Sequence, residues 1–260
     1  MTIREIHVYP TAEETVQSAA ALVLRIASNA VAQRGLFTVA LAGGATPRAL
    51  YSLLADNFRY RGGMPWASTQ FFWSDERPVP PDHEASNYRM AHESMLSKVR
   101  VAMKQLHRMR GEDPDPDAAA AAYEAEIKTF FGDFGTIENN LPRFDLILLG
   151  LGTDGHTASL FPKTDVLEEK TALVAAPMVE KLASRRLTMT LPLINNAERI
   201  LLLALGSEKA EIVKEVLAPS SGTEALPAQL VAPSSGRVDW FLDQPAAGRL
   251  PTELTEMDMF

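Results

Sequence analysis

Helical and strand-like patterns of apolar residues alternate along the whole chain. Ala12 to Gln33 repeats small apolar residues at helical spacing and stops at Gly35, which predicts a long amphipathic helix. Leu36 to Ala42 (LFTVALA) is instead a continuous apolar run bounded by glycines, as in a strand buried on both faces. A Gly43-Gly44 turn, a helix from Pro47 to about Phe58 and a strand from Gln70 (QFFWSDE) follow. Ser86 to Val99 reads as a helix and Leu106 marks a short strand. GEDPDPD is a loop, and Asp117 to Phe131 is an alanine-rich helix. The second half repeats the alternation, with strands in FDLILLG, in Leu173 to Ala176, in RRLTMTL from Arg185 and in RILLLAL from Arg199. SEKAEIVKEVL from Ser207 is the helix that follows, and AQLVAP near Leu230 reads as a last short strand.

This order predicts an α/β fold, a mostly parallel Rossmann-like sheet with helices on both faces. No linker-like stretch divides it, so residues 1–249 are expected to form a single domain. The tail 250–260, LPTELTEMDMF, has no partner pattern and is expected to be flexible.

Composition narrows the function classes. Of 260 residues, 46% are hydrophobic and 22% charged, which suits a globular protein with a large core. No stretch approaches the ~20 uncharged apolar residues of a membrane span. The opening MTIREIHVYPTAEE holds acids and no apolar segment, so no secretory signal is expected and a cytoplasmic setting suits the chain. With no cysteine, disulfides, thiolate nucleophiles and Cys-ligated zinc are excluded. Lys and Arg total 25 against 33 Asp and Glu, a formal charge of −8, and no basic run offsets it. Nucleic acid and anionic membranes are therefore not expected as partners. A small anionic ligand would have to be held by a few placed cations.

Four loops at the carboxyl ends of strands carry unusual chemistry, and ligands of open α/β sheets bind at those ends. In LAGGATPRALYSLL, Gly43 and Gly44 permit a sharp turn, Thr46 suits an N-cap, and Pro47 suits the first helical position. A glycine turn feeding a helix N-terminus offers free N–H groups to a phosphate, although an ordinary tight turn would look the same. In FFWSDERPVPPDHEASNYRM, Asp75, Glu76 and Arg77 end a very apolar strand at what would be the mouth of a site; His83 in the same loop reads as solvated. In FDLILLGLGTDGHTASLFP, Gly150, Gly152 and Gly155 spell the dinucleotide fingerprint G-x-G-x-x-G. That reading fails, because Pro162 cuts short the required helix and Asp154 would stand beside the pyrophosphate. What remains is Asp154-Gly155-His156 at a strand end. Gly155 permits an unusual backbone angle, and the Asp can orient the imidazole or stabilise its protonated form. A capping Asp beside a packed His is the plainer alternative. In LALGSEKAEIV, Lys209 stands in the first helical turn, where the macrodipole disfavours a cation unless Glu208 or a bound phosphate compensates. His7, His92 and His107 have no such setting and read as structural.

Taken together, LAGGATPRALY, FFWSDERPVPPDHEASNY, FDLILLGLGTDGHTASLFP, RRLTMTLPLINNA and LLLALGSEKA resemble, in order and spacing, the 6-phosphogluconolactonase family, which is related to glucosamine-6-phosphate isomerases and deaminases. One departure is Ala45, where the family often has serine. The resemblance implies hydrolysis of 6-phospho-D-glucono-1,5-lactone to 6-phospho-D-gluconate in the oxidative pentose phosphate route. It implies no metal and no organic cofactor, and leaves monomer or small homo-oligomer open. Carried over by position, His156 is the general base and Asp154 its neighbour. Gly43, Gly44 and Thr46 match the phosphate-binding turn, and Asp75 and Gly155 belong to the substrate site. Arg77 and Lys209, with Arg186 as a weaker candidate, match cations facing the phosphate or the developing negative charge. The related deaminases carry glutamate five residues after the His, where this chain has Phe161. A sugar-phosphate-sensing regulator on the same fold would want a basic DNA-binding segment, which neither end of the chain offers.

Overall fold

The computed structural model describes residues 3–220, 222 and 224–255. The chain begins with strand β1 (Ile3–Tyr9), helix α1 (Ala12–Arg34) and strand β2 (Phe37–Leu41). Helices α2 (Ala45–Asp56) and α3 (Phe58–Gly63) lead to β3 (Thr69–Trp73), β4 (Asp75–Glu76) and α4 (Asn87–Ser94). The long helix α5 (Pro116–Asp133) precedes a hairpin, β5 (Thr136–Glu138) and β6 (Leu141–Arg143), and the central strand β7 (Leu146–Gly150). Four short strands follow, β8 (Val174–Ala175), β9 (Met178–Val179), β10 (Ser184–Arg185) and β11 (Leu187–Met189). The chain closes with α6 (Leu191–Ile194), β12 (Arg199–Ala204), α7 (Ala210–Leu217), β13 (Arg237–Asp243), α8 (Gln244–Ala247) and α9 (Thr252–Thr255).

Six strands form one wholly parallel sheet in the order β1-β13-β12-β7-β2-β3. Successive side chains on each strand go to opposite faces, which splits the core in two. Val39, Leu41, Phe71, Trp73, Leu146, Leu148, Leu201 and Leu203 pack under α1, α2 and α4. Ala40, Phe72, Ile147, Leu149, Ile200, Leu202, Trp240 and Leu242 pack under α5 and α7. The expected sheet with helices on both faces is therefore present. From β2 the chain steps outward to β3, then returns to place β7 on the other side of β2. That reversal opens a crevice at the carboxyl ends of β2 and β7.

Several local expectations change. QFFWSDE breaks at Ser74: β3 stays in the parallel sheet, whereas Asp75–Glu76 pairs antiparallel with β11, which also pairs with β8. Ser86 caps α4 through Arg89 N at 3.1 Å, and that helix ends at Ser94, with a separate turn at Leu96–Lys98. Leu106 makes only an isolated bridge to Phe71. AQLVAP is no strand; Pro227–Leu230 is a 3-10 turn, as a proline at its start and a missing sheet partner dictate. Within the tail 250–260, Thr252–Thr255 is the short helix α9, and 256–260 lie outside the described residues. By length and mean hydropathy α1 could cross a membrane, although Arg25 interrupts it and no ~20-residue uncharged run exists, as expected. Its alanines raise the mean hydropathy, and its inner face, Val16, Ala19, Ala20, Val23, Ala27 and Ala30, is buried in the core.

Candidate active site

The crevice holds a cavity of about 440 Å³, lined among others by Gly43, Gly44, Asp75, Arg77, His156, Arg186 and Lys209. Seven residues singled out in the sequence thus meet in one place. Thr46, Asp154 and Gly155 do not line it. Thr46 is also not the N-cap: α2 starts at Ala45, Gly44 occupies the cap position with φ 104°, and no side chain caps the helix. A positive φ of this size suits glycine, and the first N–H groups of α2 stay open beside the cavity.

The glycine turn is held from below. Asn87, fully buried at the start of α4, donates to the Asp75 carbonyl at 2.9 Å and to Asp75 Oδ1 at 3.1 Å. A Cβ at position 43 would stand 1.8 Å from Asn87 Oδ1, so only glycine fits there. Asp75 is buried, and its second oxygen accepts from Ser159 Oγ at 2.8 Å. Its neighbour Glu76, expected at the mouth of the site, turns inward. Its carboxylate accepts from the N–H groups of Arg77, Asn87 and Tyr88, each at 2.8 Å, and from Ser86 Oγ at 3.0 Å. Burial pushes the Glu76 carboxyl up, against the pull of those three N–H donors. The tie leaves Arg77 on the cavity side, where Nη1 donates to the Ala85 carbonyl at 2.7 Å. On the other flank a Cβ at Gly111 would meet the Arg77 carbonyl at 2.0 Å, so this backbone is packed as well as bonded.

The base-bearing loop follows β7. Gly155 takes φ 79°, and a side chain there would also press on Leu226 at 3.0 Å. Gly152, the middle glycine of the false fingerprint, is required for steric reasons, since a Cβ would fall 1.9 Å from His156 Nδ1. The loop thus folds back on the imidazole instead of opening a helix. His156 Nδ1 is bonded to Asp154 Oδ1, which also accepts from His156 N at 3.3 Å. Nδ1 therefore carries the proton in the neutral ring, and Nε2, with no hydrogen-bond partner among the described residues, remains an acceptor.

Electrostatics reverses one expectation. The sequence led us to expect the neighbouring carboxylate to raise the His156 pKa. Instead burial lowers it to about 4; Asp75 opposes the fall, and Lys209, Arg186 and Arg77 add to it. None of these three cations is paired with a carboxylate among the described residues. Lys209 Nζ donates to the Leu151 carbonyl at 2.7 Å, and Arg186 Nη1 to Ser184 Oγ at 3.0 Å. Burial holds the Lys209 ammonium below its ordinary value, partly countered by Glu208. Burial and then Arg77 do the same to Arg186. Lys209 sits on the 3-10 turn Ser207–Lys209 just ahead of α7, close to where the sequence placed it.

Lys181 and Leu182, absent from the residues singled out in the sequence, also line the cavity from the turn between β9 and β10. Nothing in MVEKLAS marks them, because only the hairpin brings them back over the loop. Phe161, noted only as a replacement for glutamate, stacks on His156 with ring centroids 4.2 Å apart.

Three comparisons agree with this geometry. The family model described as glucosamine-6-phosphate isomerases/6-phosphogluconolactonase matches residues 10–240. The curated 6-phosphogluconolactonase of Synechocystis sp. is 42% identical over 86% of this chain and 88% of its own length. The one from Nostoc sp. is 34% identical over 95% and 98%. The solved 6-phosphogluconolactonase of Trypanosoma brucei superposes with a TM-score of 0.82 at 27% identity, covering 96% of this chain and all of that one. A sheet of this order, a crevice at its switch point and a match over nearly the whole length all point one way: the chain belongs to the family of glucosamine-6-phosphate isomerases and 6-phosphogluconolactonases.

Proposed function

We propose that this chain is a cytoplasmic 6-phosphogluconolactonase that hydrolyses 6-phospho-D-glucono-1,5-lactone to 6-phospho-D-gluconate, with His156 as general base. The observation that carries the reading is a neutral imidazole with a free Nε2 sharing one cavity with three cations that lack carboxylate partners. A water attacking C1 gives its proton to Nε2 as the C–O bond forms. The C1–ring oxygen bond then breaks, and the imidazolium returns a proton to the departing oxygen. No covalent intermediate is needed for a strained ring ester. Asp154 keeps the Nδ1–H tautomer, so the ring enters each cycle with Nε2 as acceptor.

The cations explain how so depressed an imidazole can serve. A phosphate dianion bound among Arg77, Arg186 and Lys209 offsets the positive field that lowers His156. Substrate binding thus strengthens the base at the moment it is required. The phosphate is a handle, and its binding energy also orients C1. The open N–H groups at Gly44 and the first turn of α2 supply further donors to an anion. Every group in this scheme comes from one chain, so it operates equally in a monomer or a small homo-oligomer. The glutamate used by the related deaminases has no counterpart, since Phe161 covers the imidazole there. Titrating acid release with freshly generated phosphorylated lactone, and assaying glucosamine 6-phosphate in parallel, tests the reading. Turnover of the amino sugar with an inert lactone would overturn it.

A further inference from the structure

Asp154, His156, Phe161 and Lys181 make a closed ring of contacts at the rim of the cavity. Asp154 gives one carboxylate oxygen to His156 Nδ1 and the other to Lys181 Nζ. Phe161 stacks on the imidazole, and Lys181 Nζ lies 4.6 Å from the centroid of that same phenyl ring. Three members belong to the loop after β7, but Lys181 arrives from the tip of the β9–β10 hairpin. That hairpin pairs through only Ser184 with Val179 and Arg185 with Met178, too short a ladder to fix its own tip. The tip also holds Ala183 at φ 45°, a left-handed conformation that costs an alanine about 1 kcal/mol. Two ion pairs hold it from outside: Arg185 at its base meets Asp117 of α5, and at the tip Lys181 makes the contact with Asp154. Just beyond β10 the chain delivers Arg186 to the cavity.

Lys181 is half exposed, so its ion pair adds little to stability. Its effect falls on the imidazole. The charged groups around His156 are Asp75 and Asp154 on one side of the balance, and Arg77, Arg186, Lys209 and Lys181 on the other. We propose that Lys181 is a positioning residue for the base: it holds the outer oxygen of Asp154 and the outer face of Phe161, and so fixes the plane and tautomer of His156. By engaging Asp154 it also limits how far that carboxylate favours the imidazolium. This rests on the reading of His156 as the base.

The test compares Lys181→Met, which keeps the apolar stem and removes the charge, with Lys181→Arg in the full chain. Two readouts are taken: steady-state hydrolysis of the phosphorylated lactone against pH, and a proton NMR titration of the His156 ring in the free protein. With Lys181→Met, kcat falls about tenfold as the ring loosens, while KM stays within about twofold of the parent, as expected for a group that binds no substrate. The acid limb and the NMR titration both move to higher pH, because Asp154 now acts on the imidazolium undiluted. Lys181→Arg restores both. A higher KM with unchanged kcat and an unmoved titration would make Lys181 a direct phosphate ligand and overturn the proposal. Turnover that survives His156→Ala removes the base reading alone, since the NMR titration reports the contact ring without any catalysis.

Discussion

The two ends of the parallel sheet handle charge in opposite ways. At the amino ends of the strands, Arg34, Arg143, Arg199 and Arg237 line a cleft of about 430 Å³, and each one meets a carboxylate. Arg34 reaches Asp145, and Arg237 reaches Glu5. Arg143 pairs with Glu138 at 3.0 Å, and Arg199 with Asp239 at 2.8 Å. The group Glu5, His7 and Asp239, close enough together to hold a metal, is part of this network, with both acids already engaged by arginine. At the carboxyl ends, Arg77, Arg186 and Lys209 surround a cavity of similar size and, among the described residues, donate only to carbonyl and hydroxyl oxygens. Paired charge ties elements together, and half-buried unpaired charge of one sign costs stability unless a ligand completes it. Size does not separate the two clefts; the balance of charge within each does.

The largest effect expected is at the carboxyl end. His156→Ala should lower kcat by about 10²–10⁴-fold, the range for general acid–base catalysis, while phosphogluconate still binds. Near-normal turnover in a folded variant would remove His156 from the mechanism.

Next come the cations. Lys209→Met or Arg77→Met should raise KM for the phosphorylated lactone about 30-fold or more, as for loss of a buried charge partner. Unphosphorylated gluconolactone should be affected far less, and thermal stability should not drop, because the folded protein loses an uncompensated charge. Equal damage with both substrates would mean that the residue faces the reacting carbonyl instead.

The amino end should behave in the reverse way. Buried Asp145 accepts from Thr38 N at 2.7 Å and Thr38 Oγ1 at 2.9 Å besides meeting Arg34. Asp145→Ala strands these donors and should cost about 2 kcal/mol in denaturant unfolding, with kcat/KM left within about twofold of the parent. A drop in activity at full stability would erase the distinction between the two ends.

The smallest effect is a displacement of the pH profile. The imidazole pKa is lowered, so its base form persists well below the usual ~6.5 and is lost only as pH falls through about 4. The acid limb of kcat/KM, which reports the free protein, should therefore lie toward 4, and that of kcat, which reports the complex, at higher pH because the bound phosphate offsets the cations. The substrate phosphate titrates near ~6, so the unphosphorylated lactone is the control. With it, the two limbs should coincide, and a persistent gap would mean that phosphate is not what strengthens the base.

Much of this was legible in the sequence because buried parallel strands read as unbroken apolar runs. LFTVAL, DLILLG and RILLLAL could hardly be anything else, and the loops after the first two frame the crevice. The edge strand β1 and its neighbour β13 were not legible in the same way. Asp239 interrupts VDWFLD with a charge that makes sense only beside Arg199, on a neighbouring strand. The glycine and histidine motifs were readable because their chemistry is local. Lys181, Asn87 and the inward turn of Glu76 were not, since each depends on contacts made across the fold. The direction of the His156 shift was missed for the same reason: the nearest carboxylate is visible in sequence, whereas burial and three distant cations are not.

The tie at Glu76 has an evolutionary consequence. Its one carboxylate gathers both feet of the segment running from Arg77 to Ser86, so everything between them hangs from a fixed base. Doubling the length of a flexible loop costs only about 0.6 kcal/mol once its ends are held. Insertions, deletions and rewritten sequence in VPPD can therefore accumulate among descendants of this chain without moving the Arg77 backbone, whereas His83 Nδ1 accepts from Ala85 N at 3.1 Å beside the carbonyl that holds the Arg77 side chain. Glu76 itself has no such latitude, since a shorter side chain would leave its four donors unmet and an amide, with one accepting oxygen, could serve only some of them. Within ten residues the protein holds one position fixed and leaves its neighbours open to drift.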